Sequence, residues 1–192
     1  MEAERGSTLL YLSIDKSKLN IVIKNIKEVE RYFGSLNQNS KAYMAIEIRD
    51  MANKIKSEMQ ADAPVGVNGQ LKNAIDFDQQ ELRLTFTAKT FYAAYMEFGT
   101  KRKVHIPSWV ANDYAAKYRG PAPVQTDSKV AIKTWADKKG IQDWKSVWWS
   151  IMKNGVKPHP FFFTTKNGQN RLQIIKERYI AALQQGLKNI QP

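Results

Sequence analysis

Cysteine is absent from this chain of 192 residues, so it holds no disulfide framework, no thiolate metal site and no cysteine nucleophile. A reducing cytoplasm is thereby permitted. Histidine is nearly absent, with His105 and His159 the whole supply. No His-Glu-x-x-His spacing and no Gly-rich phosphate loop occurs, and the second half of the chain has no carboxylate cluster. His105, His159 and Glu97 could meet in space as a metal or hydrolytic cluster, but solvated or packing histidines are the simpler reading. An enzyme is not the leading expectation, and no catalytic residue, metal or cofactor is expected. No apolar run approaches the ~20 residues that cross a bilayer, and the start, Met1 to Thr8, lacks the basic residues that open a secretory signal. No membrane partner is expected.

What is present is a folded-protein composition, 43% hydrophobic and 25% charged, with an uneven charge. Residues 1–100 carry 13 basic and 13 acidic side chains, whereas residues 101–192 carry 17 and 5, so the whole net charge of +12 lies in the second half. Such asymmetry suits a polyanionic neighbour: nucleic acid, a membrane surface or an acidic protein. A lysine-rich solvated surface is the competing reading, because the cations are scattered rather than blocked.

Residues 8–14 read as a short strand or a docking arm. Asp15 or Ser17 can cap a helix running to Phe33, with Leu19, Val22, Ile23, Ile26 and Val29 on one face. After a loop from Gly34 in which Ser40 is the candidate cap, Lys41 to Ala61 is the clearest helix. Met44, Ile48, Met51, Ile55 and Met59 form its core-facing stripe. Leu71, Asn73, Ile75 and Phe77, then Leu82, Leu84, Phe86 and Ala88, alternate with polar residues across Asp78 to Glu81, which predicts an antiparallel hairpin under that helix. Phe91 to Phe98 reads as a short extended or single-turn segment. Helices are expected from Thr126 or Asp127 to Lys139, from Asp143 to before Gly155, and from Asn170 to Leu187, the last with Leu172, Ile175, Tyr179, Leu183 and Leu187 on its apolar face.

All five tryptophans, 109, 135, 144, 148 and 149, fall between Ile106 and Lys157. The helix pair around Gly140 superficially suggests a helix-turn-helix. Its second member, however, presents Trp144, Val147, Trp148, Ile151 and Met152 on one face and only Lys145 and Lys153 as cations, a packing helix rather than a base reader. Lys101, Arg102 and Lys103 are better candidates for phosphate contact through charge alone. Phe161, Phe162 and Phe163 cannot all face one side of an extended segment, so either both sides are covered within the chain or one ring meets something outside it.

Three separated pieces carry a resemblance. They are Ala63-Pro64-Val65-Gly66-Val67-Asn68-Gly69-Gln70-Leu71 after the long helix, Tyr92-Ala93 through Glu97-Phe98-Gly99-Thr100, and Lys157-Pro158-His159-Pro160-Phe161 before the last helix. In this order the chain resembles the neck or tail-completion (head–tail joining) proteins of tailed bacteriophages, over residues 40–105 and 156–187. Its first turn is one residue longer than that family's. The resemblance implies an α+β fold, with long helices on a small antiparallel sheet. An α+β domain of residues 1–105 and 156–192 would carry an inserted basic, Trp-rich helical subdomain, 106–155. It further implies a structural virion protein, assembled in the host cytoplasm, that forms a homo-oligomeric ring in the neck. Portal-side connectors and tail proteins would be its partners, and genomic DNA would pass through without sequence reading. Glu97, Phe98, Gly99, Thr100, Pro158, Pro160 and Phe161 would lie at the subunit or partner interface. Lys101, Arg102 and Lys103 would face the DNA channel or an acidic partner. Two alternatives remain at this point: a tail-tube terminator, and a non-virion, sequence-independent nucleic-acid binder.

Overall fold

Two strands of six residues, β1 (Leu10–Asp15) and β2 (Lys18–Ile23), open the described part of the chain. The structure is a computed structural model and describes residues 10–15, 18–23, 34, 36–65, 69–90, 92–110 and 128–189. Asp15 lies opposite Lys18, and β1 and β2 pair antiparallel along their whole length. The helix expected from Asp15 or Ser17 to Phe33 is therefore corrected over residues 18–23. Leu19, Ile21 and Ile23 fit a two-residue period as well as a helical one. The β-branched run Ile21-Val22-Ile23 favours the pleated form, and the neighbouring strand supplies the ladder. Residues 24–33, with Ile26 and Val29, lie outside the described residues.

The long helix α1 (Gln38–Asp62) starts earlier than expected and is capped by Asn37, not Ser40. Asn37 Oδ1 accepts the Ser40 amide and hydroxyl, both at 2.8 Å, because a cap side chain reaches the third amide on. Its stripe of Met44, Ile48, Met51, Ile55 and Met59 is buried as read. Residues 66–68 of the expected Ala63-to-Leu71 turn lie outside the described residues, and beyond them comes a single helical turn, α2 (Gln70–Asn73), closed by Asn73 N–H to Gly69 O at 3.0 Å. Residues 71–73 thus belong to a helix rather than to the expected strand. Strands β3 (Ile75–Gln80) and β4 (Arg83–Ala88) follow, linked by Glu81 and Leu82 alone.

The sheet is four-stranded and antiparallel, ordered β1-β2-β4-β3. Ile21 lies opposite Phe86 and Phe86 opposite Phe77, which sets one inward row across three strands. Leu84, Phe86, Ala88, Ile75 and Ile21 are buried against the helical layer, each large apolar side chain contributing about 1.5–3 kcal/mol. At the edge, Lys56 Nζ sits 2.9 Å from Asp76 Oδ1 and Lys89 Nζ 3.2 Å from its other oxygen.

Further elements are α3 (Ala93–Phe98), a 3-10 turn (Lys101–Lys103), α4 (Ser128–Lys138), α5 (Trp144–Asn154) and α6 (Arg171–Lys188). The Phe91–Phe98 stretch is thus helical from Ala93, while Thr126 and Asp127, the expected caps of α4, lie outside the described residues. Asp143 caps α5 by accepting the Ser146 amide at 3.1 Å. α1 and α6 run antiparallel: Arg178 meets Glu58 at one end and Gly186 meets Met44 at the other. Leu172, Ile175 and Tyr179 fill the seam, and the Tyr179 hydroxyl donates to the Leu82 carbonyl. This is the expected α+β arrangement. Ala136 is buried outside the central apolar cluster, and no residue of α5 is fully buried. Ile106, Trp109 and Val110, by contrast, pack with the core of the sheet and long helices.

Two outcomes follow from this packing. A Cβ on Gly186 would lie 2.7 Å from Met44 Cα, so Gly186→Ala should destabilise the protein by about 1–3 kcal/mol in urea unfolding, although the same change normally strengthens a helix. Lys56 above all holds the Asp76 carboxyl down to about 2, against 3.8 ordinarily. A lowered folded value means stability present above the unfolded value and lost as pH falls through the folded one. With Asp76 44% exposed, Asp76→Asn should cost only about 1 kcal/mol at neutral pH, and the difference should vanish as unfolding is measured down towards pH 2.

Candidate functional site

Glu97 lies in the last turn of α3, where the apolar neighbours Ala93, Ala94 and Phe98 turn that short helix into the core. Its side chain is 2% exposed. Such a buried carboxylate needs donors, and the donors are main-chain. Oε2 accepts from the amides of Phe161 at 2.7 Å and Phe162 at 2.9 Å. Oε1 accepts from Phe163 at 2.9 Å and Thr164 at 3.1 Å. Successive amides of an extended strand alternate in direction, so four in a row on one carboxylate mean that the segment curls around it. Burial pushes the Glu97 carboxyl above its ordinary range, against the four amides, which pull it down.

The curl sends all three phenylalanines inward, each with no exposed surface. Phe98 stacks on Phe163 at 5.7 Å between centroids, and Phe162 meets Phe161 and Phe163 edge-on at 6.1 and 5.2 Å. Both sides of the segment are therefore covered within the chain. Pro160, which has no amide to place, stands immediately before the first donor.

The two motif pieces also join through their backbones. His159 N–H donates to Met96 O at 2.7 Å and His105 N–H to Phe98 O at 2.8 Å. Thr100 N–H donates to Val156 O at 3.0 Å, and Thr100 Oγ1 accepts the Val156 amide at 2.8 Å. Gly99 and Gly155, with φ of +78° and +80°, permit this contact. A Cβ on Gly155 would sit 2.3 Å from Thr100 O, and one on Gly99 would sit 2.9 Å from Val156 O.

The basic trio sits at this same root. Lys101 Nζ donates to Met152 O and Lys103 Nζ to Gly155 O at 3.2 Å, which caps the carbonyl end of α5 with positive charge. Arg102 between them is exposed.

The structure thus brings together Glu97, Phe98, Gly99, Thr100, Pro158, Pro160 and Phe161, with Lys101, Arg102 and Lys103 alongside. Glu97, Phe98, Thr100 and Phe161 are interior side chains of a single copy, and the exposed rim is Arg102, His105, Lys157 and His159. Both Glu97 oxygens are taken by amides, and among the described residues no group of three or more His, Asp or Glu could hold a metal ion.

Arg171 was not singled out from the sequence. Fully buried at the start of α6, it pairs with Asp62 and lies 3.7 Å from Glu58, while its amide donates to Phe163 O at 3.0 Å. A cation in a helix's first turn opposes the macrodipole, and that mismatch was the available signal that it has an acidic partner.

With the geometry in view, the comparison with protein families is informative. Residues 27–99 match the family described as "Bacteriophage HK97-gp10, putative tail-component". Over this stretch the chain is similar to a tailed-phage tail component. The tail-component match spans less than half of the chain and ends at Gly99, after the carboxylate that holds the Pro-Phe segment. The match takes in the Ala63–Leu71 piece and the second piece as far as Gly99, and over that stretch it agrees with the tailed-phage resemblance. Comparisons with curated proteins and with solved structures return no significant match.

Removing the clamp's acceptor should cost stability. Glu97→Gln turns an amide NH2 towards two of the four donors, and a decrease of about 2–4 kcal/mol in urea unfolding is expected. Asp62→Ala, which leaves the buried Arg171 guanidinium only Glu58 at 3.7 Å, should cost about 2–4 kcal/mol by the same measurement.

Proposed function

We propose that this protein is a structural, non-enzymatic component of a tailed-phage virion, forming a homo-oligomeric ring at the neck between portal-side connectors and the tail. The observation that carries this reading is the tail-component match over residues 27–99 on an α+β domain in which two of the three family-like motif pieces, at Glu97–Thr100 and Lys157–Phe161, converge at one locus. The mechanism is geometric. A closed ring repeats one heterologous contact and leaves an axial passage, through which DNA moves without being read.

In this reading residues 1–105 and 156–192 form the ring-building domain and residues 106–155 the insertion. The motif residues Glu97, Phe98, Gly99, Thr100, Pro158, Pro160 and Phe161 act on the interface from beneath. They fix the backbone that presents His105, Lys157 and His159 to the neighbouring copy or partner, and Arg102 to DNA or an acidic partner. Lys101 and Lys103 hold α5 in place, so that the basic face of the insertion points to DNA or to an acidic neighbour. Release of the protein from virions should accompany loss of this locus before loss of the sheet.

Two measurements test the assignment. Native mass spectrometry of the purified chain with its connector partners should give one discrete ring stoichiometry. Immunogold labelling of virions should place it at the head–tail junction, and virions without label there would overturn the neck assignment.

A further inference from the structure

At the root of the insertion an open depression of about 420 Å³ is lined by Lys101, Arg102, Val104 and Lys153. Three of its four lining residues are cations and none is acidic. They come from two elements, the 3-10 turn and the last turn of α5, brought together by the Thr100–Val156 hydrogen bonds. The Lys101 ammonium is fixed by the Met152 carbonyl, which engages one of its three N–H groups and leaves its charge in place. Among the described residues no ion pair involves Lys101, Arg102, Lys103 or Lys153. Elsewhere Asp76 lies between Lys56 and Lys89, and Glu58 beside Arg178.

We infer that this depression is a phosphate-binding site for the backbone of duplex DNA. Arg102 and Lys153 make the contacts, and Lys101 supplies a fixed third charge. One carboxylate from a protein partner would leave this cluster under-neutralised. A strand whose successive phosphates each carry a charge matches several cations in turn, and Lys157 continues the basic run beyond Gly155. Val104 offers no hydrogen-bonding group to a base, so contacts of this kind set position and not sequence. The inference deepens the ring reading by naming what meets the basic face, but it stands on the depression and its charges.

The test is a salt titration of the full chain with a labelled duplex of about 20 base pairs, followed by fluorescence anisotropy from roughly 50 to 200 mM salt. Arg102→Ala with Lys153→Ala should weaken binding about tenfold at the lower salt and reduce the slope of log affinity against log salt by about 2. Both side chains are exposed, so thermal unfolding should not move. Lys54→Ala with Lys72→Ala, the same charge change on exposed helical positions remote in sequence, should change affinity less than about twofold. The inference is overturned if the two double variants bind alike, if the slope is unchanged, or if the unaltered chain does not bind the duplex. Any of these would leave the ring assignment standing. Conversely, salt-dependent binding lost in the first variant, with no label at the head–tail junction, would sink the neck reading and keep the phosphate site.

Discussion

Everything around the insertion's root depends on one acceptor, the Glu97 carboxylate, being present where four consecutive amides turn inward. Without it, the N–H groups of Phe161 to Thr164 would be buried unpaired, at roughly 1–3 kcal/mol each. With it, the segment can curl, and the curl is what lets three adjacent aromatic rings share one interior. The same segment hands the chain to α6, whose first residue, Arg171, is tied to the end of α1 through Asp62. One buried negative charge therefore links the short helix, the Pro-Phe segment and the antiparallel helix pair. The cost of desolvating it is offset in part, locally, by the main-chain dipoles that the curl turns towards it.

Much of the fold was legible because single periodicities dominate. The methionine and isoleucine stripe of α1, the alternation of Leu84, Phe86 and Ala88, and the caps at Asp143 and Asn170 each have one reading. Residues 18–23 were misread because Leu19, Val22 and Ile23 satisfy a helical spacing while Leu19, Ile21 and Ile23 satisfy a strand. The partner strands decide between them, β1 just before and β4 more than sixty residues on. The α1 cap was misassigned by three residues because Asn37 and Ser40 are both good cap formers and the two lie within one hydrogen bond of each other.

The candidate site shows a different limit. That Glu97 and the Pro-Phe segment share one surface was implied by the resemblance, but the four main-chain partners of that carboxylate were not written in the sequence. That all three phenylalanines are interior was one of two open readings, and the curl that decides it exists only once the carboxylate is in position. The lysines of the 101–103 turn looked like free surface charge; two of them instead close the carbonyl end of α5. Long side chains reach partners that sequence separation hides, here 51 and 52 positions away.

The pairing of Thr100 with Val156 has a topological consequence. Two hydrogen bonds and two left-handed glycines clasp the chain to itself at points 56 positions apart in sequence. Just past the clasp Ile106, Trp109 and Val110 still pack on the core, whereas no residue of α5 is fully buried. Closing the chain between the two clasped points costs an entropy that varies only with the logarithm of its length. Exposed positions of α5 can therefore change with little effect on the framework, while the clasp and the apolar residues beside it cannot.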